Sequence, residues 1–581
     1  MKPTIPTLLP IGILLACWQV GAQVPTSQGD IDPPGRVARI SYVSGPVSFR
    51  AAGTDAWVAA ELNRPVTTGD ELWTDDNARA ELDLSHAFVR LDSRSSLAIL
   101  NLDDRGVQIS LSEGTAQVRL RRLDENDEFE VATPQAALTL LRPGDYRFQA
   151  HSSGAETIVN VRSGQIEAVG PGQAFSVRAQ QQARITGSGP IDYQIAGTPP
   201  LDGFDDFCNT RDRRAEKAES LQHVSPHVIG WEDLDEQGSW RVHVEYGSVW
   251  YPRVIAPGWA PYRFGHWVWI EPWGWTWIDD APWGFAPFHY GRWVFIGGNW
   301  GWVPGPVRVR AVYAPALVVF AGGGPGLQYH FSIGVGLGVA WFPLGPREVY
   351  IPPYRASRVY VTNVNISHTT IVNTTNIWRT DVTKQRYVNR TVAGAMTAVP
   401  EDAFVRGRPV GQAAVRVNAE QARSARIGGS APPVAPSRAS IAPESARPAP
   451  RPPDSATRRQ TTVRRTPAPA PVAFDRKSPV LDRDPGRPPD PGRIDEMRRE
   501  QPQETPRQRQ VRPPAPAATQ PAPAPAPAPP KATPRRPEQP QAPAPSPRAT
   551  ENRRRTIDQE HQRTEKQQSK SKQEKSTGRQ R

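Results

Sequence analysis

The chain has 581 residues and a formal net charge of +12, and 38% of its residues are hydrophobic. Its only two cysteines, Cys17 and Cys208, exclude a disulfide framework and a zinc site built on several cysteines. Charge is unevenly divided: residues 401–581 hold 36 Lys and Arg against 19 Asp and Glu, whereas residues 1–400 hold 34 against 39. We expect Cys208 to be partly buried, or, as an unpaired thiol, to link two chains.

Residues 1–22 have the pattern of a secretory signal peptide. Lys2 gives the positive start, an apolar stretch covers residues 8–18, and small residues precede a cleavage site after Ala22. The apolar stretch is too short to span a bilayer, which needs about 20 apolar residues. We therefore expect export to the periplasm or outer envelope. Cys17 lies in a loose lipoprotein motif, so lipidation there is the alternative.

Residues 36–195 consist of short runs in which apolar and polar residues alternate. Each run ends at Gly, Asp or Pro, which is typical of strands separated by turns. The clearest runs are Val37–Val43, Ala80–Leu84, Ala87–Leu91, Val107–Leu111 and Ala116–Leu120. The pattern predicts an all-β domain.

The turn motifs of this region resemble those of the FecR-type domain of bacterial periplasmic regulators and cell-surface proteins. They are Gly45-Pro46-Val47, Thr68-Gly69-Asp70, Ala80-Glu81-Leu82, Glu113-Gly114, Thr133-Pro134, Pro143-Gly144-Asp145-Tyr146-Arg147 and Val161-Arg162-Ser163-Gly164. The resemblance implies a small β-solenoid-like stack. FecR regulators carry a cytoplasmic anti-sigma segment and a membrane helix ahead of this domain. Here the domain follows the signal peptide, which argues against direct regulation of a sigma factor.

Three charged residues of this pattern, Asp70, Glu81 and Arg147, occupy turn and strand positions. We expect them to cap turns and to lie on solvated faces. Residues 204–225 are predicted to form one linking helix of mixed charge that ends before Pro226.

Residues 231–302 contain 13 of the 18 tryptophans and an internal repeat. Residues 259–270 match residues 285–296 at an offset of 26, and the aromatic residues within each unit lie two positions apart. Because strand side chains alternate between faces, this spacing predicts a β-meander with an aromatic-rich face. We assign residues 226–390 to this antiparallel Trp/Gly/Pro-rich β domain.

The aromatic face has two interpretations. Most of its tryptophans are expected in the core, because one Trp can bury roughly 200 Å². The number exceeds what a small core needs, so a few are expected at the surface as a stacking platform for sugar rings. The candidate ligand-stacking residues are Trp267, Trp269, Trp273, Trp275, Trp277, Trp293, Trp300 and Trp302.

The order of these regions is similar to that of uncharacterised exported proteins from Proteobacteria. In that family a FecR-type domain precedes a Trp/Pro/Gly-rich domain of unknown function and a Pro-rich tail. The long strings Pro-Trp-Gly-Trp-Thr-Trp and Phe-His-Tyr-Gly-Arg-Trp carry the resemblance, which covers about two thirds of the chain. It implies a domain arrangement and no activity.

Residues 400–581 are predicted to be a disordered, basic, Pro-rich tail. Too few apolar side chains are present to offset the chain entropy lost on folding. The excess of positive charge suits an anionic cell-envelope polymer or an acidic envelope protein as partner, and we expect no physiological nucleic acid partner after export. A soluble spacer is the alternative.

We find no set of residues that predicts catalysis, a cofactor or a metal site. No two histidines have the spacing of a zinc helix, and His266 and His289 fit a rim or cation–aromatic role. Asp279-Asp280 and Glu232-Asp233 are adjacent acids, but neighbouring strand residues point to opposite faces. The sequence therefore predicts a mainly β, non-catalytic envelope scaffold or binding protein. The alternatives are a peptidoglycan- or carbohydrate-binding module and a FecR-like periplasmic signalling component.

Overall fold

The computed structural model describes residues 32–321, 338–370, 377, 380–443, 446–501 and 507–512. The predicted signal peptide, with Cys17 and the cleavage site at Ala22, lies outside the described residues, and so does the last part of the predicted tail, residues 513–581. Across the described ranges the chain is mainly β, as predicted.

Seventeen strands build the N-terminal domain. They are β1 (Ala38–Ser44), β2 (Val47–Arg50), β3 (Trp57–Ala59), β4 (Pro65–Val66), β5 (Glu71–Thr74), β6 (Arg79–Asp83), β7 (Ala87–Leu91), β8 (Ser95–Asp103), β9 (Gly106–Leu120), β10 (Glu128–Ala132), β11 (Ala137–Leu140), β12 (Gly144–Ala150), β13 (Glu156–Ser163), β14 (Gln165–Gly170), β15 (Gln173–Arg178), β16 (Gln181–Thr186) and β17 (Asp192–Gly197).

The strands form two stacked sheets that share β9. In one sheet β9 pairs with β7 and β12, and antiparallel pairing continues through β13 and β16 to β17. In the other β9 pairs with β8 and β10, and pairing continues through β11 and β14 to β15. At Gly114, φ is +93° and a Cβ would lie 2.4 Å from the Arg94 carbonyl, so only glycine fits this passage of β9 between the sheets. This stack is the β-solenoid-like fold that the resemblance implies.

The predicted linking helix is present as α1 (Gly203–Glu216), followed by a 3-10 helix at Glu219–Gln222. Asp202 caps α1 by accepting hydrogen bonds from the backbone N–H groups of Phe204 and Asp205. A second 3-10 helix (Trp231–Asp233) and α2 (Leu234–Gln237) lead into the Trp-rich domain.

The Trp-rich domain is antiparallel. Its elements are β18 (Gly238–His243), β19 (Gly247–Pro252), β20 (Gly265–Ile270), β21 (Gly274–Asp279), α3 (Ala286–His289), β22 (Arg292–Ile296), β23 (Asn299–Val303), β24 (Val318–Ala321), β25 (Gly338–Pro343), α4 (Arg358–His368) and a 3-10 helix at Asn389–Thr391.

The 26-residue repeat corresponds to two β-hairpins. Strand β20 pairs with β21, so Trp267 lies opposite Trp277. Strand β22 pairs with β23, so Trp293 lies opposite Trp302 in the second hairpin. The predicted alternation of aromatic residues therefore places tryptophans opposite each other across both hairpins.

The predicted boundary of the disordered tail at residue 400 is wrong, because the described residues between 401 and 512 fold onto the two β domains. With the strand just before them, the elements are β26 (Thr397–Pro400), α5 (Glu401–Val405), α6 (Val410–Ala413), α7 (Ala419–Ser424), β27 (Ile427–Gly429), α8 (Arg438–Ile441), α9 (Asp454–Thr457), β28 (Thr461–Val463), α10 (Phe474–Leu481), α11 (Pro491–Arg499) and β29 (Gln508–Gln510).

This C-terminal segment, residues 401–512, packs on surfaces that the β domains supply. Strand β27 extends a sheet with the order β26-β25-β24-β27. The N–H of Ala59, on β3, donates to the Arg447 carbonyl at 2.9 Å. Phe404 and Leu481 are each 1% exposed and belong to one apolar core that also contains Val37. A segment that cannot form a core of its own can therefore fold by completing an existing one.

Phe404 gives a direct test of this packing. Its ring centroid lies 4.5 Å from that of Trp275 and 5.4 Å from that of Trp267. We expect Phe404→Ala to lower the free energy of unfolding by about 3 kcal/mol, because it leaves a cavity among large rings. Urea unfolding followed by Trp fluorescence measures the change. Phe295→Ala is the matched control, since Phe295 is 40% exposed; equal effects of the two variants would contradict the packing.

Candidate functional site

The eight candidate stacking tryptophans are all buried, with exposed fractions between 0 and 5%. Several of their indole N–H groups donate to the protein itself. Trp275 donates to the Val434 carbonyl at 3.0 Å, Trp293 to the Pro287 carbonyl at 2.8 Å and Trp302 to the Tyr290 carbonyl at 2.8 Å. The interpretation of these residues as an exposed platform for sugar rings is therefore wrong, because none of the eight side chains lies on the surface.

The excess of tryptophan has a different physical explanation. The Trp-rich domain shares its core with both the N-terminal domain and the C-terminal segment. Trp267, for example, contacts Trp277 and Trp341 of its own domain and Phe404 of the C-terminal segment. The rings therefore fill two interfaces in addition to one small core.

The two histidines of the repeat are structural. His289 is fully buried, and its Nδ1–H donates to the Ala314 carbonyl at 2.9 Å. Burial lowers the pKa of His289 to about 3, so it is neutral and cannot act as the predicted cation. His266 Nε2 lies 3.3 Å from Glu61 Oε2 on the N-terminal domain. Burial would lower the pKa of His266, but the charge of Glu61 outweighs it and raises the pKa.

The charged residues Asp70, Glu81 and Arg147, which the sequence places on solvated faces, are buried, and so is Asp279. Asp70 and Glu81 are 4% and 1% exposed, and Arg147 is 8% exposed, so their predicted solvated positions are wrong. Asp279 accepts hydrogen bonds from the Trp277 indole and the Ala281 N–H, and burial raises its pKa well above the usual range. Each of these groups is held by partners within the fold.

Cys208 is fully buried in α1. Burial raises the pKa of its thiol above the usual range, so the sulfur remains protonated. A disulfide between two chains through Cys208 therefore does not fit this structure.

A buried polar junction, centred on Arg39, joins the N-terminal and Trp-rich domains. The Arg39 guanidinium lies 2.6 Å from an oxygen of Asp233 and 3.4 Å from one of Glu232, both in the 3-10 helix ahead of α2. It also donates to Asn63, whose amide donates to the carbonyls of Asp279 and Ala281. Arg39 is 0% exposed, so its bonds to Asn63 are shielded from water.

The charges of the junction depend on one another. Burial alone would lower the pKa of Arg39, but Asp233, Glu232 and Asp83 outweigh burial and raise it. Asp83 also accepts the N–H of Gly230 at 2.9 Å. Sequence analysis missed this junction, although an arginine within the apolar run Val37–Val43 is a signal of a buried charge that needs partners.

A second network docks α1 on the N-terminal domain. Glu81, on β6, accepts from Arg90 at 2.6 Å and from Arg211 of α1 at 2.6 and 2.8 Å. Arg90 also lies 2.7 Å from Asp212 of α1. Burial alone would raise the pKa of Glu81, but the two arginines lower it to about 2.

A cavity with a volume of about 420 Å³ lies where the two β domains meet the C-terminal segment. The N-terminal domain contributes Leu102 and Asp70, and the Trp-rich domain contributes Trp269 and Glu271. Helices α10 and α11 of the C-terminal segment complete the wall. Lys477 of α10 lies 2.8 Å from Glu271 Oε1, and both side chains line the cavity.

Among the described residues, no group of three or more His, Cys, Asp or Glu side chains has the arrangement of a metal site. In the same part of the chain, every helix is too short or too polar to cross a bilayer.

The two β domains match two different protein families. Residues 70–167 match the family described as FecR protein, and residues 231–348 match a family of unknown function, DUF6600. The chain carries a FecR domain followed by a DUF6600 domain. The two matches confirm the predicted resemblance, and the FecR match indicates a FecR-like signalling or envelope-associated protein.

Comparisons with curated proteins and with solved structures do not indicate a function for this chain. No curated protein matches the chain. Two crystal structures of a candidate anti-sigma factor from Parabacteroides distasonis ATCC 8503 are 20% identical to it, with TM-scores of 0.20 and 0.19. Each covers 21% of this chain and 58% of the solved chain, so the chain spans less than two thirds of that protein. This likeness carries no argument about function.

The Glu81 network predicts a pH-dependent stability. A carboxyl group whose pKa falls from 4.5 to about 2 on folding stabilises the fold above pH 4.5, and this stabilisation is lost as the pH falls toward 2. We expect Glu81→Gln to lower the free energy of unfolding by about 2 kcal/mol at pH 7, with a difference that shrinks as the pH falls through that window. Urea unfolding at a series of pH values measures it.

The exposed Glu219→Gln is the matched control and should follow the wild-type profile at every pH. A Glu81→Gln profile that runs parallel to the wild type from pH 7 to acid would contradict the network.

Proposed function

We propose that this protein is a non-catalytic, exported scaffold or binding protein of the bacterial cell envelope. The observation that carries the proposal is the junction around Arg39, where one fully buried guanidinium bonds to residues of both the N-terminal and Trp-rich domains. Such a junction makes one rigid body of two domains that could otherwise move independently. A rigid body with a long basic extension is suited to holding envelope components in a fixed arrangement.

The non-catalytic part of the proposal is supported by the state of the titratable groups in the DUF6600 domain. His289 is buried and neutral, and Asp279 is fixed by the Trp277 indole. Arg292 is 1% exposed and donates to the Glu348 carbonyl at 3.1 Å. A general acid or base must reach its substrate, and these groups are enclosed by the fold.

Export is supported by the signal pattern of residues 1–22 and by the FecR match, since FecR-type domains act in the envelope. Fractionation of cells that express the full chain and a Leu14→Arg variant tests it. The charged residue interrupts the apolar stretch, so the variant should stay in the cytoplasm with residues 1–22 attached. Envelope localisation of both forms to the same extent would contradict export by this segment.

A FecR-like signalling component is the second candidate, and the FecR match at residues 70–167 favours it. In this role the FecR domain would dock on a receptor in the envelope. In-cell crosslinking from β17, whose six residues are all exposed, would then capture one defined envelope protein. The scaffold role predicts crosslinks to envelope polymer or to several proteins.

The rigid body predicts cooperative unfolding of the two domains. Replacing Arg39 by Met takes the guanidinium away from Glu232 and Asp233, and breaking a buried pair in this way costs about 3–5 kcal/mol. We expect a single calorimetric transition for the wild type and an early, separate transition for Arg39→Met.

Arg94→Met is the matched control, because Arg94 is half exposed and its partner Asp76 lies 3.6 Å away at the surface. It should change the free energy of unfolding by less than about 1 kcal/mol. Two independent transitions already in the wild type would contradict the rigid body.

Binding to envelope polymer is assigned to the last part of the chain. Residues 513–581 hold 14 Lys and Arg against 6 Asp and Glu. We expect the full chain to sediment with purified peptidoglycan at low salt and to be released at about 1 M salt, where the Debye length falls to about 3 Å. A chain that ends at Arg512 keeps every described residue and should not sediment.

Deletion of residues 520–530, which carry no charge, is the matched control and should bind like the full chain. If the chain that ends at Arg512 sediments as much as the full chain, the folded body and not residues 513–581 binds peptidoglycan. If the full chain does not sediment with peptidoglycan, peptidoglycan is not its partner.

A further inference from the structure

The cavity between the two β domains and the C-terminal segment has no part in the scaffold role. Its volume of about 420 Å³ lies within the roughly 300–1,000 Å³ that is typical of small-molecule sites. It also lies where separate parts of the chain meet, a common position for such sites. What it can bind follows from its walls.

The walls are apolar and stiff. Trp269, Trp273 and Ile270 line one side, and Leu102 and Val472 line others. Proline has a fixed φ and no backbone N–H, so it holds the wall in place and offers no donor to a ligand. Nine prolines contribute to the lining: Pro33, Pro34, Pro65, Pro272, Pro469, Pro471, Pro488, Pro489 and Pro491. The site therefore suits a mostly apolar molecule.

One ion pair in the cavity wall, between buried Lys477 and half-buried Glu271, supplies a donor and an acceptor side by side. Lys477 is 4% exposed, and its ammonium lies 2.8 Å from Glu271. An ammonium has three N–H donors and a carboxylate about four acceptor positions, so the contact between the two groups leaves hydrogen-bonding capacity on both. The group that complements an adjacent donor and acceptor is an amide, which accepts through C=O and donates through N–H.

The charges around the cavity nearly cancel. Four carboxylates and five cations line it: Asp32, Asp70, Glu271, Asp495, Arg36, Arg64, Arg355, Lys477 and Arg498. Besides Lys477, the other four cations also form ion pairs: Arg36 with Asp127, Arg64 with Glu61, Arg355 with Asp490 and Arg498 with Asp495. A charged ligand would lose its hydration without gaining an unpaired counter-charge, so the site disfavours carboxylates and phosphates.

We propose that this cavity binds a small, neutral, mostly apolar molecule that carries an amide group, with the amide oxygen on Lys477 and the amide N–H on Glu271. An N-acyl amide and a short apolar peptide with capped ends share this chemistry. Since α10 and α11 form one wall, a bound molecule also holds the C-terminal segment against the β domains.

The test uses the full chain and three probes. They are N-octanoyl-glycinamide, a capped apolar tripeptide, and octanoate as the charged control. Isothermal calorimetry gives the dissociation constants, and the rise in Tm with ligand concentration gives an independent measure. We expect one or both amides to bind at least about tenfold more tightly than octanoate. The amide that binds more tightly shows whether the natural ligand is an acyl amide or a peptide.

Two variants locate the site. Ile494→Trp fills the cavity from α11 and should abolish binding of the amides, whereas Arg499→Trp on the exposed side of the same helix should leave binding unchanged. The paired variant Lys477→Met with Glu271→Leu removes both polar groups together and leaves no charge unpaired. It should weaken amide binding at least about tenfold and leave octanoate binding nearly unchanged.

Three results would overturn the proposal. They are no binding of either amide to the wild type, unchanged amide binding by Ile494→Trp, and unchanged amide binding by the paired variant. None of them affects the scaffold role, which depends on the junction around Arg39 and on its calorimetric transitions.

Discussion

A guanidinium cannot lose its charge at any pH a protein encounters, so an arginine that is fully buried dictates what surrounds it. Arg39 projects from β1 of the N-terminal domain, and Asp233 and Glu232, at the start of the residues that match DUF6600, pair with its charge. Separating the two domains would leave charges of both signs without partners in a medium of low polarity. The junction also positions the tryptophan hairpins against the N-terminal domain. Asn63 donates hydrogen bonds to the carbonyls of Asp279, the last residue of β21, and of Ala281.

The parts of the fold that were predictable from the sequence are those set by local pattern. Alternation predicted the strands of the FecR domain, and charge composition predicted α1. The aromatic residues of the 26-residue repeat predicted a β-meander, because Trp267 and Trp269 lie two positions apart, as Trp300 and Trp302 do, and a period of two is that of a strand. These features depend on residues that are close in sequence, so they can be predicted from the sequence alone.

Exposure was not predictable in the same way. Alternation assigns Trp275 to a face of a strand but does not say what covers that face. The cover is Val434 and Phe404, more than a hundred residues away in a region with few apolar side chains. Arg39 and Lys477 illustrate the same limit. A charge inside an apolar run indicates that a partner is needed, but only the tertiary fold identifies Asp233 or Glu271 as that partner.

The C-terminal segment changes how the positive charge of the chain is understood. Residues 401–581 have too few apolar side chains to bury a core of their own, but residues 401–512 complete a core that the β domains already have. Many of their arginines bond to that body: Arg464 lies 2.7 Å from Glu167, and Arg459 donates to the Ser112 carbonyl at 2.9 Å. Of the 36 basic residues after residue 400, 22 lie in this packed segment. A cation that is paired within the fold attracts an external polyanion only weakly. The positive charge that is not paired within the described fold is therefore concentrated in residues 513–581. In the proposed scaffold role we expect this segment to contact the envelope partner and the folded body to be the part that it positions.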